Sequence, residues 1–586
     1  MHTTSARRAS LLVTTPMIPP EWALLERELL KNQSDACEDF FHHYFDERGY
    51  LLCVPRWGGD DGPDDAAENL LNWTMLHALG APDAVLALYH KGWEGHLLQY
   101  TEAKTVEVPF ARDGMYYKEF PVMFDWFHHG EWLSAFVLEG LSNPDDPAYV
   151  RRVQRYAGLY MNEDPQAANY DPQHKIIRSM FNGSRGPLLR KATGLDWAGD
   201  PIEVEGRFRP GHGERNYNQM LEHFKDYNDV VGDHPLNLGA TTLAYNAYAL
   251  TGDVKYRDWL LEYVDAWVQR TQQNDGIIPT NVGLDGSLGG SCDGKWYGGV
   301  YGWGFSVTDP STGQIAHRPS FQIRSHYGFG NALLLSGDRR YVDVWRNLVE
   351  RVNTNSRTID GQTMYPSMYG DQGWYNFKPE AFSAGALEIY YWSWNQADRA
   401  RVSENRWLDF LDGNDPVYPV EALRQDLATI RQKVAEIRSD ITTPDTRMSD
   451  DPNALNPATV GTLVQLMLGG LPTGRTGYPL HCRLRYFDPQ NRRAGLPRDV
   501  AALVDHMNGE EVAVTLVNLS QTRERTLIVQ GGAYAEHQFA ITRAGEHRAK
   551  VNDSHFTVRL APGCGARIVI TMTRYANQPT LAFPWD

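Results

Sequence analysis

The sequence predicts a mainly α chain: an array of helical hairpins followed by a C-terminal antiparallel β-sandwich. Two patterns carry this. From residue 69 onward a helix–turn–helix unit recurs, with apolar residues spaced three and four apart. Beyond about residue 475 short alternating or continuous apolar runs take over, bounded by Gly, Pro and Asn. At 586 residues the chain has room for one very large domain or two to three ordinary ones.

In chain order, residues 1–19 read as an N-terminal tail and residues 20–472 as the helical domain. That domain carries an insertion lobe at about 163–225, and residues 475–586 form the sandwich. The clearest hairpin spans residues 236–281, where Gly252 is placed to end the first helix and Asp253 to cap the second. Its turn, "LTGDVKY", returns as "LSGDRRY" at 335–341, and "NDGIIPTN" at 274–281 is matched by "IDGQTMYP" at 359–366. Weaker copies start at Asn69 and Phe127, a fifth inner helix lies at "PEAFSAGALEIYYWSW", and a sixth starts at Asn456. The sixth outer helix is either Glu21–Phe45 or the charged segment from Glu421. After residue 475, "EVAVTLVNLS", "ERTLIVQGG", "HFTVRLAP" and "ARIVITMTRY" read as strands of an antiparallel sandwich.

The "TGDxxY" hairpins followed by a β-sandwich resemble the six-hairpin (α/α) toroid carbohydrate-active enzymes. That superfamily includes glycoside hydrolases, polysaccharide lyases and oligosaccharide dehydratases. The resemblance implies an (α/α)6-type toroid and an oligosaccharide substrate; it does not name the sugar.

The net charge of −17 argues against nucleic acid as a partner, because phosphate binding needs a basic face. Five cysteines lack any CxxC spacing, which gives no thiolate zinc site and suits a reducing compartment. The apolar stretch after Arg7 and Arg8 is too short for a signal sequence, and nowhere do eighteen apolar residues run together. The expectation is a cytoplasmic protein with no membrane partner.

In an array of hairpins the inner helices run alike, so their N-termini and the preceding loops gather at one mouth. Those stretches are unusually polar. "RWGGDDGPDDAAEN" holds Trp57, Asp60, Asp61, Asp64 and Asp65, and "FDWFHHGEW" holds His128, His129 and Glu131. "DYNDVVGDHPLN" contributes Tyr227, Asp229, Asp233 and His234, and "HRPSFQIRSHYGFG" contributes Arg324, His326 and Tyr327. "YGDQGWYNFKPE" adds Tyr369, Trp374, Tyr375 and Lys378. Asp64 or Asp65 sits where a helix cap or first-turn acid belongs, one of the four aspartates is expected to face the cleft, and Asp61 is chosen. Of the adjacent His128 and His129, only one reaches the mouth, and His129 is chosen.

The catalytic set is therefore His129, Tyr227, His234, Asp61, Glu131 and Asp229. The lobe stretch "HKIIRSMFNGSRGPLLRK" supplies Arg178, Asn182 and Arg185 to hold an anionic group on the ligand, with Arg190 beside them. Arg324, His326, Trp57, Trp296, Tyr369 and Trp374 complete the substrate-binding set. The preferred chemistry is β-elimination at a uronic acid, as a lyase or dehydratase. His or Tyr would take the proton and the cations would neutralise the carboxylate. The alternative is an inverting glycoside hydrolase using Asp61 with Glu131 or Asp229; a non-catalytic glycan-binding protein carries less weight. No cofactor is expected. His128 and Glu131 have metal-ligand spacing, but spacing nominates no third ligand.

Overall fold

A computed structural model describes residues 8–57, 61–105, 108–193, 195–196, 216, 218–219, 231–298, 307–308, 315–316 and 322–586. Tyr227, Asp229 and Asp60 lie outside the described residues. Helices dominate up to residue 468 and strands from residue 484. Among the described residues, no helix is long and apolar enough to cross a membrane.

The first helix, α1, is Glu21–Tyr44. The hairpins follow: α2 (Pro63–Glu68) and α3 (Trp73–Leu79) with α4 (Asp83–Glu102), and α5 (Trp126–Ser134) with α6 (Pro147–Gly158). Next are α7 (Thr241–Thr251) with α8 (Val254–Gln273), and α9 (Gln322–Ser336) with α10 (Arg340–Asn353). Then come α11 (Ala386–Ser393), α12 (Tyr418–Ser439) and α13 (Gly461–Leu468). The α7–α8 turn forms as its sequence dictates. Gly252 adopts φ +68°, with open space where a Cβ would stand, and the Asp253 carboxylate accepts the Lys255 N–H at 3.1 Å.

Packing runs from hairpin to hairpin. α2 lies on α5, the 3₁₀ turn Pro235–Ala240 lies on α5 and α9, and α9 lies on α7. The last helices meet the first, with α13 on α3 and α12 on α1. Both candidates for the sixth outer helix are therefore present, side by side. The buried tryptophans Trp73, Trp93, Trp126, Trp132, Trp267 and Trp345 show that most of the aromatic excess is core.

Of the strands, β1 (Ser10–Val13) belongs to the stretch expected as a tail. Residues 357–378, expected as a loop, form a small antiparallel sheet: β2 (Arg357–Ile359), β3 (Gln362–Gly370) and β4 (Gly373–Lys378). The sandwich strands are β5 (Leu484–Asp488), β6 (Arg493–Ala494), β7 (Val500–Met507), β8 (Glu511–Asn518) and β9 (Arg525–Gly531). They continue with β10 (Gln538–Ala544), β11 (His547–Asp553), β12 (His555–Leu560) and β13 (Gly565–Thr573). One sheet is ordered β1-β12-β9-β5-β6 and the other β7-β8-β13-β10-β11. β1 pairs in parallel with β12, Ser10 opposite Thr557, so the N-terminal residues complete the C-terminal sandwich.

The sandwich sits on one end of the helical array. The C-terminal ends of the inner helices carry unsatisfied carbonyls, and the sandwich donates to them. Arg485 donates to Leu141 O and Arg493 to Ala81 O. Arg574 Nη1 donates to Tyr391 O at 3.0 Å, and Tyr486 Oη to Met467 O at 2.8 Å. Leu581 N donates to Ala249 O at 2.7 Å. Short turns such as Gly80–Pro82 and Gly252–Asp253 lie at this end. The longer connection 108–125 leads into the N-terminus of α5 at the opposite end.

Candidate functional site

At the start of α2 the aspartates divide their labour. Asp65 accepts the Gly62 N–H at 2.8 Å, which is the cap. Asp61 is buried and accepts from the N–H of Ser449 at 3.0 Å and from its hydroxyl, with Arg56 at 3.9 Å. It anchors the loop to residue 449. Asp64 does neither, and its carboxyl turns toward α5. Gly62 gives it room, since a Cβ there would stand 2.5 Å from Asp64 Oδ1.

The N-cap of α5 is Asp125, which accepts the N–H of Phe127 at 2.8 Å and of His128 at 3.3 Å. It also accepts the Nδ1 proton of His128 at 2.7 Å. His128 and Glu131 stand three residues apart on one face of the helix. One oxygen of Asp64, one of Glu131 and one ring nitrogen of His128 all lie within 4.8 Å of one another. From α9, Arg324 Nη2 reaches Glu131 Oε1 at 3.2 Å. One turn along α2, Glu68 accepts Asn453 Nδ2 at 2.5 Å and pairs with Arg475 at 2.6 Å. The His128 side chain is 35 % exposed, whereas Asp64 is 3 % exposed, so the cluster opens to solvent past the histidine.

Burial pushes the Asp64 carboxyl up to about 7, the Glu131 charge adding to the rise and His128 opposing it. Burial raises Glu131 as well, but His128, Arg324 and Arg475 all oppose the rise. Glu68 is lifted to about 9 by burial and then by the Glu131 charge, against Arg475. Burial opposes protonation of His128, yet the charge and hydrogen bond of Asp125, with Asp64 and Glu131 behind them, lift it to about 10. Asp64, His128 and Glu131 are donors of the kind that hold a divalent cation. Glu131 also pairs with the Arg324 guanidinium, and His128 with the Asp125 carboxylate.

Several residues expected at the site stand elsewhere. His129 points into the core, fully buried against Phe120 and Trp126. Its Nε2 is 2.8 Å from Asn182 O, and burial lowers its pKa to about 4. Adjacent helical residues point about 100° apart, so the face that presents His128 and Glu131 turns His129 away. Asn182 is a core hub: its Oδ1 accepts from Trp126 Nε1 at 3.1 Å and Tyr160 Oη at 2.5 Å. Trp57 stacks on Phe124 at 4.6 Å, and His234 caps the 235–240 turn by accepting the Leu236 N–H at 3.1 Å. Arg178 donates to Ala168 O at 3.4 Å, Arg185 lies 3.6 Å over the Tyr117 ring, and Arg190 forks onto Asp196. The Arg178 and Arg190 contacts stay within the lobe, and Arg185 ties it to Tyr117 outside.

Other expected residues do come together. Trp296 packs on Tyr369 at 4.8 Å, and Tyr369 meets Trp374 edge-on at 4.9 Å, all three half-buried. His326 lies 3.8 Å from Glu388, which also accepts the Tyr327 hydroxyl at 3.0 Å. Burial alone would raise Glu388; the nearby His326 charge and the Tyr327 hydrogen bond lower it to about 2. Sequence reasoning missed Asp125, Glu68, Arg475 and Glu388. For Asp125 a signal existed, because Asp125, His128 and Glu131 recur every third residue from an N-cap.

The family model described as "Domain of unknown function (DUF8034)" matches residues 10–406. No curated protein sequence matches the chain. Among solved structures, a D-mannose isomerase aligns with a TM-score of 0.36 at 12 % identity, covering 77 % of this chain and 100 % of that one. A sugar epimerase from a ruminal bacterium aligns at 0.33 and 10 %, covering 64 % and 84 %. An inactive variant of the alpha-1,6-mannanase GH76A of Salegentibacter sp. HEL1_6, in complex with alpha-1,6-mannotriose, aligns at 0.30 and 9 %, covering 75 % and 99 %.

Proposed function

The chain belongs to the family described as "Domain of unknown function (DUF8034)", and for this member we propose hydrolysis of a glycosidic bond by the carboxyl pair Asp64 and Glu131. In this reading the hairpins close as an (α/α)6 toroid, the pair stands at its mouth, and the substrate is an oligosaccharide. One observation carries the reading: two buried carboxyls within 4.8 Å whose surroundings differ, one beside a guanidinium and one not. Breaking a glycosidic bond needs an acid for the leaving oxygen and a carboxylate for the anomeric carbon. A separation of about 5–5.5 Å suits attack by the carboxylate itself, whereas roughly 6.5–9.5 Å leaves room for a water.

Asp64 gives its proton to the departing oxygen while Glu131 bonds to the anomeric carbon. A water then displaces Glu131, passing its proton to Asp64, so the anomeric configuration is retained. The half-buried rings of Trp296, Tyr369 and Trp374 offer stacking surface to further sugar units.

Elimination at a uronic acid has less support. Arg178 is engaged within its own lobe, and Arg185 lies over the Tyr117 ring. The cations at the pair, Arg324 and His128, already face Glu131 and Asp125.

The test is a panel of neutral and uronic oligosaccharides read by mass and ultraviolet absorbance, with Asp64→Asn and Glu131→Gln alongside. Hydrolysis gives saturated products, and each variant loses about a thousandfold in kcat. Ultraviolet-absorbing products from a uronic acid, or full activity in both variants, would reject the assignment.

A further inference from the structure

We propose that Arg324 is a positioning residue that keeps Glu131 charged and thereby leaves the transferable proton on Asp64. This rests on the assignment of Asp64 and Glu131 as the reacting pair.

Two buried carboxyls this close share a proton, and some asymmetry must decide which holds it. His128 does not, because it faces both. On the Asp64 side stand His128, Asp125 and Glu131. On the Glu131 side stand His128, Arg324 and the more distant Arg475. Glu68, which also faces the pair, is matched by its contact with Arg475. Arg324 is thus the cation in contact with one member and not the other.

Its placement is rigid. Nη2 donates to Glu131 Oε1 at 3.2 Å, Nη1 donates to Phe127 O at 3.0 Å, and the guanidinium carbon lies 3.4 Å over the Phe127 ring. Phe127 and Glu131 are one turn apart on α5, so the guanidinium plane spans that turn. Behind it, the Arg324 carbonyl accepts the Tyr478 hydroxyl at 2.9 Å, and Tyr478 stacks on Tyr327 at 4.0 Å. With its side chain 14 % exposed, the charge is weakly screened. A lysine would keep a point charge but lose the fork and the stack.

The experiment locates the proton directly. Infrared difference spectra at pH 7 compare the protonated-carboxyl band of the full chain with that of Asp64→Asn and Glu131→Gln, each alone and combined with Arg324→Gln. Intensity in the band is expected to fall with Asp64→Asn when Arg324 is present, above the constant contribution of other protonated carboxyls such as Glu68. It should follow Glu131→Gln when Arg324 is absent. For a glycoside the protein turns over, the acidic limb of the kcat/KM profile should move up by about one pH unit in Arg324→Gln, a tenfold change in proton affinity. Arg324→Lys should move it less, in the same direction. If melting shows that Arg324→Gln does not fold, Arg324→Lys supplies both readouts.

A band that follows Glu131→Gln in the unmodified background, or a limb unmoved in folded variants, overturns the role of Arg324. Because the infrared readout needs no substrate, it stands apart from the oligosaccharide panel. Failure there rejects hydrolysis, and failure here rejects only the proton assignment.

Discussion

The carboxylate of Asp125 accepts the Nδ1 proton of His128 at 2.7 Å from the position that also caps the helix carrying both residues. One side chain thus starts α5, sets the charge of the histidine and leaves Nε2 for Asp64 and Glu131. Asp125 is 1 % exposed, so this charge is held almost wholly by protein.

That arrangement has a pH signature. His128 is raised to about 10 in the folded chain, against about 6.5 when unfolded. Its contribution to stability is therefore complete below about pH 6.5 and is lost as pH rises through about 10. Asp125 is held below its ordinary range, mainly by the His128 charge working against burial. Its share is present above about pH 3.9 and fails in stronger acid. Asp125→Asn keeps a cap acceptor and removes the charge. It should cost about 1 kcal/mol at pH 6, a figure reduced because the histidine is partly solvated. The cost should shrink steadily toward pH 10. Urea midpoints across that range decide the matter, and a pH-independent difference would refute it.

Gly62→Ala tests the room left for Asp64. The backbone there is extended, which alanine adopts without strain, so the effect comes from the new methyl group. It would stand 2.5 Å from Asp64 Oδ1 and must push the carboxyl aside. A displacement of an ångström at a reacting group costs about a hundredfold in rate. The expected result is such a loss in kcat with a melting temperature changed by no more than a few degrees. Wild-type kcat in a folded variant would mean Asp64 need not stand there.

The sequence made the hairpins legible because a helix–turn–helix with Gly252 and Asp253 at its turn is specified locally. It also drew attention to the N-terminal ends of the helices, since polar residues at successive N-termini need no tertiary information to be noticed. What it did not reveal was direction. Whether His128 or His129 faces the site depends on the packing of α5 against Phe120 and Asn182. Whether Asp61, Asp64 or Asp65 is the cap depends on Ser449, 388 residues away. β1 escaped notice because four residues reveal no partner when that partner, β12, lies at the other end of the chain.

Arg485→Ala should separate stability from activity. Arg485 is 2 % exposed, donates to Leu141 O and Ala533 O, and lies 4.5 Å over the Phe487 ring. Truncation leaves the Leu141 carbonyl without this donor, while Ala533 O keeps Gln530 Nε2 at 3.0 Å, and opens a void at the seam, costing about 2–4 kcal/mol. The seam is at the end of the array opposite Asp64 and Glu131. Thermal melts should show the loss, while kcat at a temperature well below the transition stays within about twofold. A variant that melts normally but turns over slowly would mean the two ends are coupled.

Trp374→Ala tests how far a bound sugar chain extends. Trp374 and Tyr369 face each other across the β3–β4 hairpin, and Trp296 joins them from the connection before α9. The β3–β4 hairpin precedes α11 in the chain, as the Asp64 loop precedes α2. The rim of the cluster is electrically balanced, Lys295 contacting Asp371 at 2.9 Å, and Tyr297 donates its hydroxyl to the same carboxylate at 2.5 Å. A neutral pyranose suits such a surface better than a uronate: its C–H face stacks on rings and its hydroxyls meet a polar edge. Stacking of this kind contributes about 0.5–1.5 kcal/mol beyond the area covered, so truncating the ring should raise KM for longer oligosaccharides about tenfold. An aryl monoglycoside, too short to reach the cluster, should keep its kcat and KM. Tyr369→Phe, which retains the ring, should behave as wild type with both substrates. Equal losses on short and long substrates would assign Trp374 to holding the hairpin in place and remove the cluster from the binding surface.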